Sequence, residues 1–290
     1  KREIKKELHD RSLELYQWVD FSEKKEANLV SFCIENEISL LVVEKDGESN
    51  EIDVIGLLQG GTRIVNLMQF WENHLERIPP HLVDRNWLAR LDLRMRDPLM
   101  HRIKRFMDIV VGILGLLFFL PILISAILVI ALDSGFPVFF SQKRTGFLGR
   151  EYILYKLRTM KKDAEKSGAE WAKEEDFRVT KAGKFFRKWR IDEIPQFWNV
   201  ICGNMSIVGP RPERPEFQSQ LQKEVPHWNC RHLVKPGMTG WAQIRYRYAS
   251  DLIASEQKLA YDLFYVKNTS FALDFEIILS TLRAIGKGSR

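Results

Sequence analysis

Asp192 and Glu193 are adjacent carboxylates where the sequence marks a helix start, with Pro195 in the first turn and Gly203 past the end. Such a pair has an ordinary use: Asp is a good N-cap, and both charges suit the helix dipole. The neighbours raise a second use. Arg187 and Arg190 precede the pair, and Arg211 stands between Pro210 and Pro212 on a turn with fixed φ angles. A guanidinium held this way suits bidentate phosphate binding. A carboxylate among arginines stays ionised at neutral pH. An ionised Asp192 can attack phosphorus, and Glu193 can help hold Mg²⁺, which keeps most of its waters. The chemistry would be phosphoryl transfer on a phosphate ester. Taken singly, Lys156 and Arg158 read as surface charges beside a strand, Gly146 and Gly149 as turn glycines, and Arg211 as a partner for Glu213 or Glu216.

The element that must position these residues is the apolar stretch before them. From Ile109 to Leu132 no residue is charged, and as a helix this run crosses a hydrocarbon core of roughly 30 Å. His101, Arg102, Lys104 and Arg105 precede it; Lys143, Arg144 and Arg150 follow. A spanning helix normally biases Lys and Arg to one side, and here both flanks are basic. Pro121, at mid-run, lacks an N–H and clashes with the carbonyl of Leu117. Two forms stay open on this evidence: a spanning helix with a kink, and a re-entrant segment that turns back at Pro121, with Ser125 available to the freed backbone. Downstream, residues 178–190 interleave basic side chains with Phe185, Phe186 and Trp189. That pattern suits an amphipathic segment in the headgroup region, and equally a basic face over a core.

The other segments read as follows. Residues 1–36 look helical and charged, Ser39–Val43 and Thr62–Val65 as short strands, and residues 51–58 as a short helix, an α/β alternation. Glu44–Asn50 is a polar turn, and Gly60-Gly61 a loop without a phosphate-binding fingerprint. Residues 161–177, around Ser167-Gly168, form a solvated charge run. The helices expected after the dyad cover residues 215–230, Glu256–Val266 and Phe271–Ile285.

At 290 residues the chain should hold more than one unit, at about 150 residues per domain. Its net charge of +6 points to an anionic membrane surface rather than nucleic acid, since no nucleic-acid-binding signature occurs. The 3 cysteines, Cys33, Cys202 and Cys230, are far apart and read as free thiols. Cys230 with His232 is too small a set for zinc. The chain begins at Lys1 without a start Met, so it is expected to be a piece of something longer.

The motifs together resemble the bacterial sugar transferase family, the polyprenyl-phosphate hexose-1-phosphate transferases. The resemblance covers about Arg102 to Ile285: FMDIVVGILGLLFFLPILI, FSQKRTGFLGREYILYKLRTM, RKWRIDEIPQFWNVICGNMSIVGPRPERPEF, LVKPGMTGWAQI and KLAYDLFYVKNTSFALDFEIILSTL. It implies a monotopic enzyme of the bacterial inner membrane with its catalytic domain on the cytoplasmic face, a UDP-sugar donor, undecaprenyl phosphate as acceptor, Mg²⁺, and a covalent phosphosugar intermediate. In its terms Asp192 is the nucleophile and Glu193 its metal-associated partner, both being candidate metal ligands. Lys156, Arg158, Arg187, Arg211 and Gln243 are the phosphate- and donor-binding candidates. Pro121 is the membrane break, with Leu120 where some members carry a serine. Residues 1–90 resemble the degenerate Rossmann-like module of long members, 91–104 a linker, 105–133 the re-entrant helix–break–helix, and 134–290 a mainly helical catalytic domain with amphipathic interfacial helices. A homo-oligomer is a further expected partner. The rivals are a non-catalytic membrane scaffold for polysaccharide assembly, in which Asp192 only caps, and a glycosyltransferase that releases UDP.

Overall fold

The computed structural model describes residues 29–43, 52–89, 91, 97–162, 164, 176–246 and 252–286. The helix expected before residue 29, the turn at Glu44–Asn50 and the Ser167-Gly168 region lie outside the described residues. Backbone contacts divide the chain into two compact units, Lys1–Phe70 and Trp71–Arg290.

In the first unit, α1 (Leu29–Glu35) leads into β1 (Leu40–Val43), α2 (Val54–Gln59) and β2 (Arg63–Asn66). The two strands pair in parallel, Leu40 opposite Arg63, so α2 is a crossover between them. The expected strands are present within a residue of their predicted positions. Asp53 starts α2 by accepting the Gly56 N–H at 2.9 Å. Leu29, Cys33 and Leu57 form the small core. α3 (Leu67–Leu75) carries the chain into the second unit, where the short α4 (Arg85–Ala89) follows.

The second unit is built on α5 (Pro98–Ser134), 37 residues long and capped by Asp97, whose side chain accepts the Leu99 N–H. This corrects the expected helix–break–helix over 105–133: the backbone stays helical through Pro121. The expected linker also ends early, since α5 starts at Pro98. Ser125 Oγ donates to the Pro121 carbonyl at 2.9 Å, a bond one turn back that leaves the Leu117 carbonyl to its own surroundings. What holds the helix is a covered stripe. Asp108, Gly112, Leu123, Ala126 and Ile130 are buried at helical spacing, and Phe119, between them, stacks on Phe197. The opposite face exposes Leu114, Leu117, Phe118, Leu128 and Leu132. It is the one helix among the described residues long and apolar enough to cross a membrane.

Around α5 lie the antiparallel hairpin β3 (Phe139–Thr145) and β4 (Glu151–Leu157), then α6 (Lys181–Lys188) and α7 (Gln196–Cys202). β5 (Ser206–Val208), α8 (Pro215–Glu224), β6 (Gly237–Thr239), α9 (Trp241–Arg245), α10 (Leu252–Asn268) and α11 (Phe271–Gly286) complete it. β5 and β6 pair in parallel, and their backbones meet closely: a Cβ on Gly237 would lie 2.1 Å from the Gly209 nitrogen. One core joins Val200, Met205, Val208, Trp241, Tyr265 and Ile277; a second joins Leu123, Ala126, Ile130, Leu157, Phe186 and Ile194. α5 is tied to this domain near both ends. Asp108 accepts Ser206 Oγ and the Ile207 N–H, both at 3.0 Å. At the far end Arg158 Nη2 donates to the Ser134 carbonyl at 2.9 Å, where a cation meets the helix's free carbonyls.

Candidate active site

The dyad does not sit at an N-cap. Ile191–Glu193 is a 3₁₀ turn, and α7 starts only at Gln196, with Pro195 in the capping position. Arg190 before it is left-handed, φ 53° and ψ 25°, a conformation costly for a residue with a Cβ. That residue ends α6 and turns the chain so that Asp192 and Glu193 are both buried. α7 is fixed behind them by Asn199, whose side-chain amide donates to the Ile153 carbonyl at 2.7 Å while its oxygen accepts the Tyr155 N–H at 3.0 Å. This puts β4, and with it Lys156, beside the dyad.

Glu193 is the hub of the charges. Its Oε1 accepts from Arg211 Nη2 at 2.6 Å and Lys156 Nζ at 3.5 Å; its Oε2 accepts from Arg190 Nη1 at 3.3 Å. Burial works against its charge, but Arg211, Lys156 and Arg190 outweigh it and hold Glu193 well below the usual carboxylate range. Burial pushes Lys156 down to about 8, with Glu193 resisting. Glu193 in turn raises Arg211. Asp192 differs: its carboxylate makes no hydrogen bond or ion pair among the described residues. Burial, then the charge of Glu193, pushes it up to about 6, against the pull of Lys156, Arg187 and Arg211. The structure thus holds one carboxylate paired with three cations and, next to it, one without such a partner among the described residues.

Arg211 is displayed by a segment whose carbonyls are all engaged. The Pro210 oxygen accepts the Gly237 N–H at 3.0 Å, and that of Arg211 accepts from Arg231 Nη2 at 2.9 Å. The Pro212 oxygen accepts from Arg144 Nη1 at 3.3 Å, and that of Glu213 the Thr145 N–H at 3.0 Å. Arg231 is itself anchored on Asp262 at 2.7 Å, with both side chains buried. Glu213 pairs with Lys258, and Glu216 with Arg214, so neither takes Arg211. With two prolines and four tied carbonyls, the guanidinium has a fixed base.

Of the residues expected from sequence, Asp192, Glu193, Lys156 and Arg211 come together. Arg187 stands at the edge, its Nε donating to Thr159 Oγ1 at 2.9 Å. Arg158 is not brought in: it bonds the C-terminal end of α5. Gln243 is not brought in either; its amide donates to the Met238 carbonyl at 3.2 Å within its own loop. Arg190, named beside the dyad but not among the donor-binding candidates, is brought to Glu193 by the left-handed turn. Arg144 and Arg231 carry no local signal, since both act on carbonyls distant in sequence.

Asp192 and Glu193 are the residues suited to Mg²⁺. Among the described residues no group of three or more His, Cys, Asp and Glu side chains is placed to hold a metal ion. A pair of adjacent carboxylates, one of them without a partner, fits an ion that takes one or two protein carboxylates and fills its shell with water and substrate phosphate.

The model of the family described as bacterial sugar transferase matches residues 99–288. The chain is 39% identical over 229 residues to the UDP-N-acetylgalactosamine-undecaprenyl-phosphate N-acetylgalactosaminephosphotransferase of Aeromonas hydrophila, covering 78% of this chain and 53% of that protein. It is 36% identical over 188 residues to the UDP-glucose:undecaprenyl-phosphate glucose-1-phosphate transferase of Xanthomonas campestris pv. campestris, covering 63% and 39%. The protein of the same name from Escherichia coli (strain K12) is 40% identical over 182 residues, covering 62% and 39%. The chain therefore spans about half or less of the length of these relatives. The match begins at the start of α5 and contains the dyad, Lys156 and Arg211, which places the whole candidate site inside it: the chain belongs to the bacterial sugar transferase family.

Proposed function

We propose that this chain transfers a sugar-1-phosphate from a UDP-sugar to undecaprenyl phosphate. The observation that carries this is the division of labour in the dyad: a buried, unpartnered Asp192 beside a Glu193 that gathers three cations. Those cations are the natural ligands of a donor diphosphate, which would compete with Glu193 for them. Asp192 attacks the sugar-bearing phosphorus; an Asp–phosphorus bond forms and the bond to the UMP oxygen breaks, UMP leaving with the electron pair. A phosphate oxygen of the lipid then attacks the same phosphorus, and the Asp192 carboxylate is restored. Splitting one transfer in two is the usual gain of covalent catalysis. Mg²⁺ held by Asp192 and Glu193 would neutralise diphosphate charge.

The seat for this chemistry is a membrane surface. We infer that both ends of α5 stay on the cytoplasmic face of the inner membrane and that its outer apolar face enters one leaflet. Its covered stripe supports this. The elements packed along both halves carry paired charges, and a helix crossing the bilayer would draw them into hydrocarbon. The parallel β-α-β arrangement supports reading the first unit as a reduced Rossmann-like module. In exopolysaccharide or O-antigen assembly the transfer would be the first membrane step.

The test supplies purified full chain with a panel of UDP-sugars and undecaprenyl phosphate and measures released nucleotide. Release of UMP with lipid-linked sugar is expected; release of UDP would mean direct glycosyl transfer. Asp192→Asn should lower turnover by at least about 10³-fold, the scale of losing a nucleophile, while leaving Tm unchanged or raised, because an unpaired buried carboxylate is removed. Full activity in Asp192→Asn would overturn Asp192 as the nucleophile; no nucleotide release from the unsubstituted chain with any donor would leave the scaffold reading standing.

A further inference from the structure

A cleft of about 70 Å³ lies against the first turns of α5, at the opposite end of α7 from the dyad. His101, Lys104, Arg105 and Asp108 face it from one side of α5, and Lys235 faces it from the loop before β6. Most of these charges are already used. Lys104 pairs with Asp274 at 2.5 Å, Arg105 donates to the Val200 and Ile201 carbonyls, and Asp108 is bonded to β5. Lys235 is the exception: half-buried, its ammonium has no hydrogen bond or ion pair among the described residues. Burial lowers its pKa and the neighbouring Arg105 lowers it further, with Asp108 opposing. The cleft therefore has a surplus of positive charge and one cation without a partner. Its remaining wall is apolar, with Phe147, Leu233 and Val266. Just outside, Ile103, Phe106 and Met107 of α5 are exposed.

We propose that this cleft seats the phosphate headgroup of an anionic membrane phospholipid, separate from the site where the acceptor reacts. The phosphate meets Lys235 with Arg105 and Lys104 behind it. The glycerol backbone lies on the apolar wall, and the acyl chains run along the outer face of α5. Basic pockets beside membrane helices on the cytoplasmic side bind such headgroups in this way. The inference rests on the membrane association of α5 and not on the phosphotransfer chemistry.

The experiment uses the full chain in mixed micelles and measures the thermal shift caused by phosphatidylglycerol, phosphatidylcholine or inorganic phosphate. Phosphatidylglycerol should act at about fivefold to tenfold lower concentration than phosphatidylcholine, whose phosphate is neutralised by its own choline cation, the scale of one lysine beside a net anionic headgroup. Lys235→Gln should abolish that difference, and Lys235→Arg should keep it. Asp192→Asn should respond like the wild type, so an error about catalysis would not affect this outcome. Hydrogen exchange on the unsubstituted chain should show phosphatidylglycerol protecting residues 101–108 and 233–235, which keeps the test sound if Lys235→Gln folds poorly. Equal response to the two lipids, equal response to inorganic phosphate at the same concentration, or no protection at those residues would overturn the proposal.

Discussion

Glu193 binds three cations that would otherwise repel one another, so its loss exposes them all. Glu193→Gln should lower both turnover and stability, the latter by about 3 kcal/mol, the scale of removing one partner from a buried ion pair. Thermal unfolding of Glu193→Gln beside Asp192→Asn separates the two roles; equal Tm values would contradict the assignment. His232 offers a pH test away from the dyad. It is buried and hydrogen-bonds Gln218 at 3.4 Å; burial and then Arg231 push it down to about 4, with Glu213 opposing. The unfolded chain takes up this proton first, near pH 6.5, and the folded chain only near 4. Stability from this group is thus full above about pH 6.5 and falls as the pH drops towards 4, by up to about 1.4 kcal/mol per unit. Glu213, held at about 2, weakens the fold only at lower pH, and Asp262, raised by burial, acts in the opposite direction. A His232→Gln variant, which keeps a polar group near Gln218, should lose less Tm than the wild type between pH 7 and 5. Parallel curves would count against a buried neutral imidazole.

α6 shows how an element sets the site. Gly183 lets it press on the segment just after β4: a Cβ there would lie 2.2 Å from the Thr159 carbonyl oxygen. Gly183→Ala should therefore cost about 1–3 kcal/mol by forcing the backbones apart. It should also lower activity by shifting Arg187 from Thr159; unchanged activity with a lowered Tm would place Arg187 outside the site. In α6 Phe186 is buried, the basic face over a core expected of residues 178–190, while Phe185, and Trp189 just past the helix end, are exposed among lysines. Legibility followed the range of the physics. Short strands, turns and the dyad with Arg211 were readable because their signals are local: alternation, proline and clustered charge. Arg158 was not, because its partner is the end of α5, set by folding rather than spacing. The path at Pro121 stayed open between a kinked helix and a break, because proline rules describe an isolated helix, and here the stripe from Asp108 to Ile130 is held by packing. Asp192 looked like an N-cap because Asp before Pro195 has that pattern; the left-handed Arg190 moved the helix start on.

At the scale of the whole molecule, the proposed seating of α5 with both ends on one face is tested by labelling. Single cysteines replacing Arg102 and Lys143, in a Cys202→Ser background because Cys202 is exposed, should label from the same side in inverted vesicles. Labelling from opposite sides would make α5 a spanning helix. The clamps at Asp108 and Arg158 have a consequence for such a chain. A helix bonded near both ends to one rigid domain cannot roll about its own axis, so the bearing of its lipid-facing side is set by residue count. One residue inserted between Gly115 and Pro121 would turn the remainder by about 100°, aiming Leu128 and Leu132 away from the leaflet while leaving composition almost untouched. On the proposed seating in one leaflet, the register of α5 would therefore set the height of Asp192 above the acyl chains.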